Sequence, residues 1–81
     1  MKITYTLTIT AVCPVDNQAD AYECVISSQR TIPVEEILAA AKDVAALVAF
    51  QEDVTVVFAR SLRAAVKTTG WHSGVKTEVE A

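Results

Sequence analysis

Cys13 and Glu52 head the residues able to do chemistry. Cys13 opens the segment Cys13-Pro14-Val15-Asp16-Asn17-Gln18-Ala19-Asp20, which ends in the carboxyl group of Asp20. A thiolate is a nucleophile, and a carboxylic acid placed beside it can carry the proton that an addition reaction has to move. Phe50-Gln51-Glu52-Asp53 is a second polar cluster. A carboxylate such as Glu52 offers two acceptor oxygens to paired N–H donors. Trp71 and His72, in Gly70-Trp71-His72-Ser73-Gly74, add a ring for stacking and the chain's one imidazole. One histidine and two separated cysteines do not make a zinc site, so no metal is expected.

Composition narrows the setting. The chain has 81 residues, of which 52% are hydrophobic and 21% charged, so it forms one folded domain over residues 1–81 and is not disordered. The longest apolar stretch, Val44 to Phe50, is far too short to span a bilayer, so no membrane partner is expected. A net charge of −3 argues against DNA, and against transfer RNA, as a partner. An alternating pattern follows Met1 directly, with no signal peptide, and two cysteines are too few for a disulfide scaffold. The expected location is cytoplasmic, with both thiols reduced. High apolar content in so short a chain also predicts a homo-oligomer whose core neighbouring subunits complete.

The elements that must carry these residues follow from periodicity. Ile3, Tyr5, Leu7, Ile9 and Ala11 alternate with Thr4, Thr6, Thr8 and Thr10, a strand with one oily face and one threonine face. It ends near Val12 and Cys13, because Pro14 cannot donate to a ladder. Asp16, Asn17 and Gln18 make a turn. A second strand spans Ala21 to Ser28, with Tyr22, Cys24 and Ile26 on one face; Cys24 there reads as a core residue. The two strands form a hairpin with a long, irregular tip.

Pro33 suits the first position of a helix, and Glu35 and Glu36 favour its dipole. Val34, Ile37, Leu38, Ala41, Val44, Ala45 and Val48 mark its apolar stripe. Val54 to Phe58 fits a strand by composition. It also fits a helix, with Val54, Val57, Phe58, Ser61, Leu62 and Ala65 as a stripe, the acidic residues in front as a start and Asp53 as a cap. Val66 to Thr69 reads as a short strand, Gly70 to Gly74 as a turn, and Val75 to Glu80 as an alternating strand. The helical choice gives the order ββααββ. That predicts an α+β two-layer sandwich, a four-stranded antiparallel sheet with both helices on one face. Its polar sheet face would meet solvent or line an oligomeric barrel.

This order is that of the tunnelling fold, or T-fold. Cys13 to Asp20 resembles the C-P-V-T-G-Q-P-D segment of the 7-cyano-7-deazaguanine reductase family, the nitrile reductases of queuosine biosynthesis. Cys13, Pro14, Val15, Gln18 and Asp20 match it. Phe50 to Asp53 is similar to that family's F-H-E-D segment, with Gln51 in place of the histidine. The resemblance implies a helix after Asp53. It implies that Cys13 attacks a nitrile carbon to give a covalent thioimide, that Asp20 supplies the proton, and that Glu52 holds the edge of a 7-deazapurine. Gln51, Trp71 and His72 are further candidates for contact with that small purine-like ligand.

The resemblance fails at the cofactor. The family's serine- and lysine-bearing stretch falls where this chain reads Pro33-Val34-Glu35-Glu36-Ile37-Leu38-Ala39-Ala40, with no lysine. NADPH, the family's cofactor, is therefore expected to bind weakly or not at all. Relatives without this stretch are similar to amidine-forming enzymes that act on nitrile-modified transfer RNA. The alternative to a nitrile-processing enzyme is a non-catalytic T-fold module that binds a purine or only assembles.

Overall fold

The threonine-lined alternation becomes strand β1 (Ile3–Val12), paired antiparallel with β2 (Ala19–Ser28) from Ile3 opposite Ser28 to Val12 opposite Ala19. Two helices follow, α1 (Val34–Ala45) and α2 (Gln51–Leu62), then strands β3 (Ala65–His72) and β4 (Val75–Glu80). This is a computed structural model of residues 1–81. The sheet order is β1-β2-β3-β4, all antiparallel, with β1 and β4 as open edges. The helix pair joins the two central strands and packs on one sheet face. The architecture is thus the α+β two-layer sandwich that the ββααββ order predicts.

Parity decides what each strand buries. Ile9, Ala11, Tyr22, Cys24, Ile26 and Val66 face the helices and are buried, whereas Thr4, Thr6, Thr8, Lys76, Glu78 and Glu80 stand on the other face. Ile37, Ala40 and Val44 from α1 and Val54, Phe58, Ala59 and Leu62 from α2 close the core. The expected α1 stripe is wider than the surface it meets. Val34 and Leu38 remain exposed, because α2 and the sheet cover only the Ile37–Val44 side. Val48 is not in the helix at all: α1 ends at Ala45, and Val48 is exposed in the connection to α2.

Helix ends differ from the sequence reading by small shifts. Pro33 is the N-cap of α1, with ψ at 137°, and its carbonyl accepts from Glu36 and Ile37. Phe50 is the N-cap of α2, and Asp53 lies inside the first turn and caps nothing. At the far end of α2, Arg63 takes a left-handed conformation (φ 51°) and Ala64 N–H reaches back to the carbonyl of Ala59, which ends the helix abruptly. The guanidinium of Arg30 donates to the carbonyl of Leu62 at 2.6 Å and closes the same helix end.

The second hairpin corrects the sequence reading more substantially. Gly70, Trp71 and His72 are strand residues of β3, and the turn is Ser73-Gly74 alone. Both turn residues have positive φ, 51° and 82°, which matches the twist of a two-residue hairpin. Gly70 serves packing instead of turning. A Cβ there would fall 2.6 Å from Cδ1 of Tyr22, so the tyrosine ring needs a residue without a side chain opposite it.

Candidate functional site

The backbone of Val12 brings the two polar segments together. Its N–H donates to the carbonyl of Leu47 at 2.9 Å, and its carbonyl accepts from Ala49 at 3.0 Å. This short parallel bridge to Val48 holds the α1–α2 connection against the end of β1. Cys13 follows Val12, and Phe50, Gln51 and Glu52 follow Ala49. Residues far apart in sequence therefore meet at one place.

The segment after Cys13 is a tight, internally bonded loop. Cys13 N–H donates to Gln18 O at 2.8 Å, and Asn17 N–H donates to Cys13 O at 2.9 Å. Gln18 N–H donates to the carboxylate of Asp16 at 3.0 Å, an Asx turn. Asn17 has φ 60°. Asparagine, with its short polar side chain, enters this left-handed region more readily than bulkier residues do. Asn17, which stands where the resembled segment has glycine, thus adopts the left-handed conformation that turns the chain. The loop returns the chain so that Asp20, at the start of β2, comes back alongside Cys13.

A cleft of about 310 Å³ opens here, lined by Cys13, Asp20, Tyr22, Gln51, Glu52 and His72 among others. Cys13 is half-buried and its thiol is free; Cys24 is fully buried in the core, where burial pushes its thiol up to about 12. Tyr22 is 2% exposed and its hydroxyl lies 3.5 Å from a carboxylate oxygen of Asp20. Burial first, then the charges of Asp20 and Cys13, push its phenol up to about 12. The phenol therefore stays protonated and can donate toward Asp20. No group of three or more His, Cys, Asp and Glu side chains, in this cleft or elsewhere, is placed to hold a metal ion.

Gln51 is 2% exposed and its amide is fully engaged. Its Nε2 lies 3.0 Å from the carbonyl of Thr77, 3.1 Å from Thr68 Oγ1 and 3.3 Å from the carbonyl of Thr68. Its Oε1 lies 2.9 Å from Nε2 of His72. Thr55 Oγ1 donates to the backbone carbonyl of Gln51 at 2.7 Å and stands 2.6 Å from Thr68 Oγ1. This buried network bolts the start of α2 to the β3–β4 hairpin and leaves no unsatisfied polar side-chain atom. Gln51 lines the cleft but spends its amide on the protein.

Of the residues singled out in the sequence, the structure gathers Cys13, Asp20, Gln51, Glu52 and His72 at one cleft. It does not bring Trp71 there. Trp71 pairs with Lys76 on the opposite, polar face of the sheet and is 68% exposed, because one residue along a strand reverses the face. His72, one residue later, faces the helices, with its ring centroid 6.1 Å from that of Tyr22. Tyr22 is the cleft residue that sequence reasoning missed: its alternation with Cys24 and Ile26 marks it as core. The signal that could have found it is its spacing of two from Asp20, which puts both on one strand face.

No protein-family profile matches the chain, and no curated protein matches it. Among solved structures, the chain is similar to the crystal structure of the archaeosine synthase QueF-Like in the apo form. The TM-score is 0.85 at 17% identity, over 99% of this chain and 90% of that one. At that identity the likeness establishes the fold: the chain is a T-fold protein. No helix is long and apolar enough to cross a membrane.

Proposed function

We propose that the chain is a nitrile-transforming enzyme of 7-deazapurine metabolism with Cys13 as its nucleophile. The observation that carries this reading is the convergence on one cleft of Cys13 and Asp20, from the two ends of the first hairpin's loop segment, with Glu52 from the start of α2. In the proposed reaction Cys13 Sγ bonds to the nitrile carbon and one C–N π bond breaks. The nitrile nitrogen gains the proton that the thiol gives up, with Asp20 carrying it between them. The product is a thioimide, an addition in which nothing is oxidised or reduced. Tyr22 steadies Asp20 from below, and the carboxylate of Glu52 accepts N–H groups of the purine edge.

The thioimide has two chemical exits. Two hydride transfers from NADPH give an amine; a nitrogen nucleophile such as ammonia gives an amidine and returns the Cys13 thiol. The start of α1, where Glu35 can match the glutamate of the reductases' serine- and lysine-bearing stretch but no lysine follows through Ala40, supports the second exit. Arg30, the nearest cation in sequence, is occupied at the end of α2. The likeness to an archaeosine synthase supports a 7-deazapurine ligand, and the net charge of −3 supports a small ligand over a nucleic acid. Calorimetric titration with NADPH is expected to show no tight binding.

The same reading includes a homo-oligomer. Only 19 of 81 residues are buried, two strand edges are open, and Val34, Leu38 and Phe50 are exposed. Sedimentation is expected to show a multimer; a stable folded monomer at micromolar concentration would overturn this part. The test of the function itself is to mix the protein with 7-cyano-7-deazaguanine and weigh it intact. A gain of one nitrile per chain supports the enzyme. Binding without a mass gain would leave a purine-binding module.

A further inference from the structure

The hydrogen bonds of Gln51 fix the tautomer of a residue on the cleft wall. Thr77 O and Thr68 O are carbonyls and can only accept. The group beside them must therefore be the amide nitrogen of Gln51, and its oxygen must be the atom facing His72. That oxygen also only accepts, so Nε2 of His72 carries a proton in every protonation state. Neutral His72 is the Nε2–H tautomer, and its Nδ1 is a bare lone pair with no protein partner.

We infer that Nδ1 of His72 is a specificity-determining acceptor of the cleft, reading one N–H of the ligand, and that Gln51 is the positioning residue that keeps it an acceptor. This rests on the proposed purine-binding role of the cleft and deepens it. Glu52 and Asp20 also present acceptors as carboxylates, and the Tyr22 hydroxyl is directed to Asp20. A cleft whose polar groups are mostly acceptors selects a donor-rich ligand edge, as a guanine-like ring has. A carbonyl placed against Nδ1 would set lone pair against lone pair.

Two isosteric substitutions separate the two ring nitrogens. His72→Gln places its amide where Nε2 stood, keeping the bond to Gln51 and losing Nδ1. His72→Asn places its amide where Nδ1 stood, keeping a ligand acceptor and losing Gln51. Binding of 7-cyano-7-deazaguanine is measured by calorimetry in a Cys13→Ala background, which prevents the adduct. His72→Gln is expected to keep the melting temperature and weaken binding about tenfold, the loss of one hydrogen bond to the ligand. His72→Asn is expected to lower the melting temperature and, because Gln51 no longer orients the acceptor, to weaken binding as well, by less than His72→Gln does. Nitrogen NMR of the ring is expected to show Nε2–H in the unliganded protein. Equal affinity of the parent and His72→Gln, or an Nδ1–H tautomer, would overturn the inference alone. No binding by the parent would overturn the purine reading, and the ligand role of His72 with it.

Discussion

The amide oxygen of Gln51 lies 2.9 Å from Nε2 of His72, while the nitrogen of the same amide is bound to Thr68 and Thr77. One buried side chain thus ties the start of α2 to both strands of the second hairpin and orients an imidazole on the cleft wall. Replacing it with an apolar residue of similar shape tests this. Gln51→Met removes the side-chain donor shared by the carbonyls of Thr68 and Thr77, which keep their ladder partners across β3 and β4, and takes the acceptor from Nε2 of His72. It is expected to cost about 1–3 kcal/mol, the scale of a lost buried hydrogen-bonding group. Urea unfolding measures the loss; a change below about 0.5 kcal/mol, the scale of a neutral surface substitution, would contradict it.

Gly70 is expected to be irreplaceable for a steric reason specific to this chain. Gly70→Ala puts a methyl group against the Tyr22 ring and should destabilise by about 1–3 kcal/mol, the usual scale of overpacking. The cost should fall sharply in a Tyr22→Leu background. A double-mutant cycle measures the coupling; additive effects would mean that the ring is not what excludes the side chain.

Stability should decline in alkali. Tyr22 and Cys24 are both pushed up to about 12 in the folded protein, above their ordinary values of 10.0 and 9.0. A raised acid favours the fold below its ordinary value. Between about pH 9 and 12 the unfolded chain ionises first and the advantage is lost. Thermal melts across this range should show a falling midpoint. The fall should be shallower in Tyr22→Phe above pH 10, and an identical slope in that variant would contradict the assignment.

Much of the scaffold was legible. The alternation from Ile3 to Ala11 and from Val75 to Glu80 needed only period two, and the stripe of Ile37, Ala41 and Val44 needed only the helical repeat. Cys13, Asp20 and Glu52 were legible as chemistry because the segments that hold them resemble the C-P-V-T-G-Q-P-D and F-H-E-D segments of the 7-cyano-7-deazaguanine reductases. What escaped was tertiary. Gly70 reads locally as a turn residue, and only the ring of Tyr22 across the sheet makes it a strand residue. That one misplacement put Trp71 and His72 together in a loop, whereas in a strand adjacent residues must part to opposite faces. The bond between Gln51 and His72 joins residues with no shared periodicity, and Tyr22 looks like core until the loop after Cys13 returns Asp20 to its side.

The most direct test of the account is whether Cys13 becomes covalently attached to a nitrile-bearing 7-deazapurine. The protein is incubated with 7-cyano-7-deazaguanine without cofactor, weighed intact, and mapped by peptide mass spectrometry. The account predicts one added nitrile per chain, located on Cys13 and not on buried Cys24, absent in Cys13→Ala and formed much more slowly in Asp20→Asn. No adduct on the wild-type protein, or an adduct that survives in Cys13→Ala, would contradict it.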